Sequence, residues 1–180
     1  MKGKRPLNMM INEKAKKIKL LVMDVDGVLT DGRIIYTNSG DELKFFDVTD
    51  GMGLSLFKRA GLKTAILTAK KSQIVAKRAK TLNIDKSYQN AVRKADAYGK
   101  ILSDFKVIPE EVCFIGDDLV DLPVLRKVGL AVAVPNAVPE VLEAAHYVTA
   151  KWGGRGAVRE IIEIILKAQG KWQELMKRYV

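Results

Sequence analysis

The sequence is poor in several features, and each shortage narrows what it can be. One cysteine, Cys113, occurs in 180 residues, so no internal disulfide can form. It lies in the apolar run VCFI and reads as an inert buried thiol, with a cytoplasmic location as the default. No uninterrupted apolar run reaches about 18 residues, which argues against a transmembrane helix and a membrane partner. The basic N-terminus has no apolar stretch of the secretory kind. Aromatic residues make up 7% of the chain and are not interleaved with basic ones, as a base-stacking platform requires. The single histidine, His146, stands in an edge segment far from any motif and reads as structural.

Negative charge is the other shortage, with 21 Asp+Glu against 31 Lys+Arg and a net charge of +10. Such an excess can serve nucleic acid, an acidic membrane surface or a small anionic substrate. Here the basic residues are dispersed and no nucleic-acid-binding motif accompanies them. A solvated surface is the favoured meaning, and no nucleic-acid partner is expected. Length and a hydrophobic content of 48% fit one domain with a single core. Residues 1–18 read as a polar, basic leader with a short helix near Asn12–Lys17, and 19–180 as that single domain.

What is present is organised around Leu20–Asp31, LLVMDVDGVLTD. Leu20–Met23 and Val25 read as a buried strand, Asp24 and Asp26 stand at its carboxyl end, and Gly27 breaks it. Like charges two residues apart oppose each other, and a cation removes that objection. Oxygen ligands of this kind suit magnesium. The plainer alternative is a strand that exits into a solvated acidic turn.

Downstream, Arg33–Thr37 and Leu43–Val48 form a hairpin around the turn signal Asn38-Ser39-Gly40-Asp41. A helix at Met52–Ala60 is closed by Gly61. Strands at Lys63–Leu67, Ser87–Gln89, Val112–Ile115, Leu130–Val134 and His146–Val148 then alternate with helices at Ser72–Leu82, Arg93–Phe105, Leu119–Val128, Val138–Ala144 and Gly156–Ala168. A helical tail is expected at Trp172–Tyr179. Alternation of this kind predicts an α/β fold, a doubly wound, mostly parallel sheet with helices on both faces. Ligands then sit beyond the carboxyl ends of the strands.

Four strand ends converge there: Asp24 and Asp26, then Thr68, then Lys94 after the short third strand, then Asp117, Asp118 and Asp121. Singly, Thr68 is a candidate helix cap, Lys94 a solvated charge, and the Asp117–Asp121 group a favourable helix-dipole partner. Together they are the parts of a magnesium-assisted phosphoryl-transfer site.

In that order, Asp24-Val25-Asp26-Gly27-Val28-Leu29-Thr30-Asp31, Thr68, Lys94 and Gly116-Asp117-Asp118-Leu119-Val120-Asp121 resemble the four motifs of the haloacid dehalogenase superfamily of phosphatases. Asp50-Gly51, Gly129–Val134 and the run from Gly153 to Glu160 extend the likeness to members that hydrolyse sugar-acid phosphates. The resemblance implies Asp24 as nucleophile and Asp26 as general acid and base. It implies Thr68 and Lys94 as phosphoryl-binding residues. Magnesium would be held by Asp24, the main-chain carbonyl of Asp26 and Asp117, with Asp118 and Asp121 in support. Lys70, Asp50 and Arg155 are the expected further substrate contacts; Arg155 is flanked by glycines at a helix start that favours anions.

The implied substrate is a small anionic sugar phosphate, with 3-deoxy-D-manno-octulosonate 8-phosphate favoured, in lipopolysaccharide precursor synthesis. A nonulosonate 9-phosphate or another sugar phosphate is the alternative. Ala69-Lys70 stands where the resembled family usually has Gly-Arg, and Arg93 where an acidic residue is common, both near the sugar-acid contacts. Lysine lacks the bidentate fork of arginine. The intervals 27–67 and 69–93 leave no room for a cap domain of at least about 50 residues. The resemblance instead implies a homotetramer in which neighbouring subunits complete each site. A signalling receiver domain is excluded because the next core strand ends in Thr68, with no aspartate to phosphorylate.

Overall fold

The computed structural model describes residues 9–179. Its strands are β1 (Leu20–Met23), β2 (Ile35–Tyr36), β3 (Glu42–Leu43), β4 (Lys63–Leu67), β5 (Lys86–Tyr88), β6 (Val112–Gly116), β7 (Leu130–Ala133) and β8 (Tyr147–Val148). Its α-helices are α1 (Met9–Lys17), α2 (Val48–Arg59), α3 (Gln73–Thr81), α4 (Lys94–Phe105), α5 (Leu122–Leu125), α6 (Pro139–Ala144), α7 (Ala157–Ala168) and α8 (Trp172–Met176).

Six strands form one sheet in the order β5-β4-β1-β6-β7-β8, and all five pairings are parallel. β1 pairs on both sides, Leu20 with Lys63 and with Val112, so its four apolar residues are wholly enclosed. That is why its sequence runs apolar without alternation. From β1 the chain proceeds outward through β4 and β5, then crosses back to β6 and proceeds the other way through β7 and β8. Right-handed crossovers in opposite directions lay their helices on opposite faces. Accordingly α2 packs against α7, which also holds α1, whereas α4, α5 and α6 pack with one another. The direction reverses between β1 and β6, and a crevice opens at their carboxyl ends.

The connections from β1 to β4 and from β4 to β5 hold only the β2–β3 hairpin, α2 and α3. No cap domain interrupts them. The hairpin strands are shorter than the sequence predicts. Strand character ends before Val48 because Asp47 turns the chain into α2, its Oδ1 accepting from the Thr49 N–H at 2.6 Å. The expected helix at 119–128 is instead a single 3-10 turn, Leu119–Asp121, followed by the short α5. Residues 9–17, read from sequence as the end of a leader, form α1, whose Ile11 and Ala15 are buried in the core. Residues 1–8 of that expected leader lie outside the described residues.

Asp50, in the first turn of α2, joins α2 to α7. Its side chain is buried, and its Oδ1 accepts from the Arg159 N–H at 2.8 Å in the first turn of α7. Burial pushes its carboxyl up to about 6, against the pull of the α7 backbone N–H groups. Asp50→Ala is expected to lower unfolding free energy by about 1–3 kcal/mol, because the Arg159 N–H is left without its acceptor. Urea unfolding checks this.

Candidate active site

The loop after β1 is a tight knot. Thr30 Oγ1 accepts from the N–H groups of Gly27 (3.3 Å) and Gly32 (3.2 Å), which curls the chain back beneath Asp26. Gly27 has φ +90°, and a Cβ there would come 1.9 Å from Asp117 Oδ2. Only glycine allows the ends of β1 and β6 to approach so closely. A second loop is seated on the first. Asn136 Nδ2 donates to the Gly27 carbonyl and its Oδ1 accepts from the Gly153 N–H, both at 2.9 Å. A Cβ at Gly153 would lie 1.7 Å from the Gly27 carbonyl oxygen, so this contact is backbone against backbone.

Beyond the strand ends lies a cavity of about 270 Å³ lined by Asp24, Asp26, Gly32, Thr68, Ala69, Lys70, Lys94, Asp117, Asp118 and Val120. The structure thus brings together residues from the ends of β1, β4 and β6 and from the start of α4. Lys94 is the electrostatic hub. Its side chain is 1% exposed, and its Nζ lies 2.8 Å from Asp24 Oδ1 and 2.5 Å from Asp121 Oδ1. Burial opposes its charge, but the two carboxylates outweigh burial and raise its pKa. Asp121 is wholly buried and also fixes the loop after β6, its Oδ2 accepting from the N–H of Asp117 at 3.0 Å. Asp118 caps the following turn through the Leu119 N–H at 2.7 Å. Thr68 is held by main-chain bonds to Tyr88 and Ala91.

Carboxylates outnumber ammonium groups in this cluster. Burial, then repulsion from Asp24, Asp121 and Asp118, push the Asp117 carboxyl up to about 8. Asp24 rises to about 6, chiefly through burial, although the adjacent Lys94 pulls it down. Asp117 Oδ1 is buried and has no hydrogen-bond partner among the described residues. One oxygen each from Asp24, Asp117 and Asp121 lies within 4.8 Å of the others. A hard divalent cation fits this donor set, since it needs carboxylate oxygens and would satisfy the orphaned Oδ1.

Two expected substrate contacts fall outside the cavity. Asp50 is occupied at the start of α7, as described above. Arg155 lines a separate cavity of about 540 Å³ with Asp47, Thr49, Lys151 and Arg159. Its charge acts on Asp31, next to Gly32 at the catalytic rim. Sequence reasoning also missed Lys44, whose Nζ lies 2.5 Å from Asp26 Oδ1, and Glu42, 3.1 Å from the same Nζ. The available signal was alternation along the hairpin, where Glu42, Lys44 and Phe46 turn inward and Leu43 and Phe45 outward. Thr30 and Asn136 carried no comparable signal.

A doubly wound sheet with paired aspartates at its central strand and a lysine–aspartate cluster beside them defines a phosphoryl-transfer class of site. Residues 60–162 match the haloacid dehalogenase-like hydrolase family. The chain is 45% identical over 169 residues to the 3-deoxy-D-manno-octulosonate 8-phosphate phosphatase of Escherichia coli K12, covering 94% of this chain and 90% of that one. It superimposes on the phosphatase of that name from Yersinia pestis with a TM-score of 0.91 at 45% identity, covering 93% and 91% of the two chains. The Moraxella catarrhalis phosphatase, solved with a magnesium ion, a phosphate ion and a KDO molecule, gives a TM-score of 0.93 at 41% identity, covering 96% and 100%. The chain belongs to the haloacid dehalogenase-like hydrolases.

The raised carboxyls make stability depend on pH in a defined direction. A carboxyl whose folded pKa exceeds its unfolded value contributes stability at low pH and loses it as pH rises through the folded pKa. That loss runs from the ordinary carboxyl value of 3.8 up to about 6 for Asp24, and from 3.8 up to about 8 for Asp117. In that window the metal-free protein should lose thermal stability as pH rises. The Tm increase on adding magnesium should be larger near its upper end. Calorimetry with EDTA or with magnesium checks both; a magnesium effect independent of pH would contradict the assignment.

Proposed function

We propose that the protein is a magnesium-dependent phosphomonoesterase that hydrolyses 3-deoxy-D-manno-octulosonate 8-phosphate to the free sugar acid and phosphate, in lipopolysaccharide precursor synthesis. The observation that carries this reading is the buried Lys94–Asp24 pair beside Asp117 at the floor of the cavity. It holds a carboxylate nucleophile, a fixed cation and a metal-ligand set within one enclosure. The names of the relatives support the substrate.

In the reaction, a carboxylate oxygen of Asp24 bonds to phosphorus as the bond from phosphorus to the ester oxygen breaks. Asp26 gives its proton to the departing alkoxide. Thr68 Oγ1 and Lys94 Nζ bind the phosphoryl oxygens and balance their charge. Water then attacks phosphorus and gives a proton to Asp26, which is thereby restored. The bond from Asp24 to phosphorus breaks, releasing phosphate. Asp24, Asp117 and the Asp26 main-chain carbonyl would hold magnesium, which when bound offsets repulsion between nucleophile and phosphate.

Contacts from Lys70 and Arg155 to the sugar acid belong to this reading; for Lys70 it is supported by its position in the lining of the cavity, while Arg155 lines a separate one. A homotetramer belongs to the same reading. It is supported by the exposed apolar side chains Ile34, Tyr36, Leu43 and Phe45 on the hairpin and by Val48 beside it. A cytoplasmic setting, where a lone thiol such as Cys113 stays reduced, completes it.

The test is a panel of octulosonate 8-phosphate, a nonulosonate 9-phosphate and neutral sugar phosphates, assayed with magnesium and after chelation. The eight-carbon acid should give the highest kcat/KM, EDTA should abolish turnover and magnesium restore it. Preference for the nine-carbon acid would move the substrate assignment and leave the chemistry intact. Turnover that survives exhaustive chelation would remove the metal from the account.

A further inference from the structure

The β2–β3 hairpin is patterned inside out. Its apolar residues Leu43 and Phe45 are 43% and 60% exposed, whereas the side chain of Lys44 between them is 2% exposed. A lysine on a hairpin ordinarily keeps its ammonium in water. This one is turned into the protein, where its Nζ donates to Asp26 Oδ1 at 2.5 Å and lies 3.1 Å from Glu42 Oε1. The two reacting carboxylates therefore have an ammonium each, Lys94 for Asp24 and Lys44 for Asp26. The two lysines differ in one respect: Lys94 lines the catalytic cavity and Lys44 does not. Lys44 is therefore placed to act on Asp26 rather than on the phosphoryl group.

We propose that Lys44 is a positioning residue that fixes the rotamer of Asp26 by occupying Oδ1, leaving Oδ2 to carry the proton exchanged with the leaving group and then with water. The inference rests on the phosphatase reading above. Asp26 follows the end of β1 on an irregular turn, where main-chain pairing does not fix a side chain. A charge-assisted bond from a separate element supplies that constraint. Glu42, on the same hairpin as Lys44, holds the ammonium from its other side, so Lys44 is itself fixed. Burial works against the Lys44 charge, but the bonds to Asp26 and Glu42 outweigh it and raise its pKa, so it remains an ammonium.

Leaving-group dependence separates this role from a structural one. Proton donation matters for a sugar alkoxide and little for p-nitrophenolate, which departs unprotonated. In Lys44→Met, the single-turnover rate of alcohol release, which precedes the dephosphorylation step common to both esters, should fall about a hundredfold for octulosonate 8-phosphate, with KM nearly unchanged, and only a few-fold for p-nitrophenyl phosphate. Lys44→Arg, which retains a charged donor, should recover part of the loss. Glu42→Gln should show the same selective loss at smaller size, and serves if Lys44→Met does not fold. Equal losses on both esters in the folded variants, no loss, or a change confined to KM for the acidic sugar would each overturn the inference. An unmodified protein that hydrolyses neither ester would instead remove the phosphatase reading on which it rests.

Discussion

The concentration of carboxylates around one buried ammonium is the interaction on which the rest of the site depends. Asp24 and Asp121 both meet Lys94, and Asp117 joins them with an oxygen that has no partner among the described residues. Removing one member of a buried charge group typically costs about 3–5 kcal/mol, because the others are left uncompensated. The strand ends, the first turn of α4 and the loop after β6 are thus tied to one another by charge as well as by packing. The remaining negative excess at Asp24 and Asp117 suits a divalent cation, and the same excess makes the site unfavourable without one.

Around that cluster, backbone contacts set the geometry. The reversal of strand direction between β1 and β6 opens the crevice. Gly27 allows Asp117 to close against β1, and the Asn136 amide clamps the loop at Gly153 over the Gly27 carbonyl. The hairpin then brings Lys44 to Asp26. With no cap domain between the strands, the hairpin reaches the cavity through Lys44 at Asp26, and the loop at Gly153 is seated on the turn after β1. The outer face of the hairpin is apolar and exposed.

Much of this was legible in the sequence, for a physical reason. Parallel strands buried on both faces leave unbroken apolar runs, and the polar residue that ends each run falls on the ligand-binding rim. Asp24, Thr68 and Asp117 were therefore readable from where the apolar runs stop, and Lys94 from the start of the helix that follows. What escaped depends on partners far apart in the chain. Lys44 meets Asp26 across 18 residues, and Asn136 and Arg159 meet Gly27 and Asp50 across 109. No periodicity records such pairings. The bond from Asp50 Oδ1 to the first turn of α7 was likewise not legible, because an acid beside glycine before a helix looks the same whether it faces a ligand or the end of another helix. The boundary at Val48 was missed because Phe45, Phe46 and Val48 favour a strand, whereas the Asp47 cap decides the conformation.

The central claim is that the phosphoryl group passes through Asp24. Rapid acid quenching of enzyme in excess over octulosonate 8-phosphate, followed by peptide mass spectrometry, measures this directly. The account requires phosphate on the peptide that contains Asp24, appearing before free phosphate and decaying as free phosphate forms. Sugar acid released at full rate with no phosphopeptide at any quench time, or phosphate carried on a different residue, would contradict it.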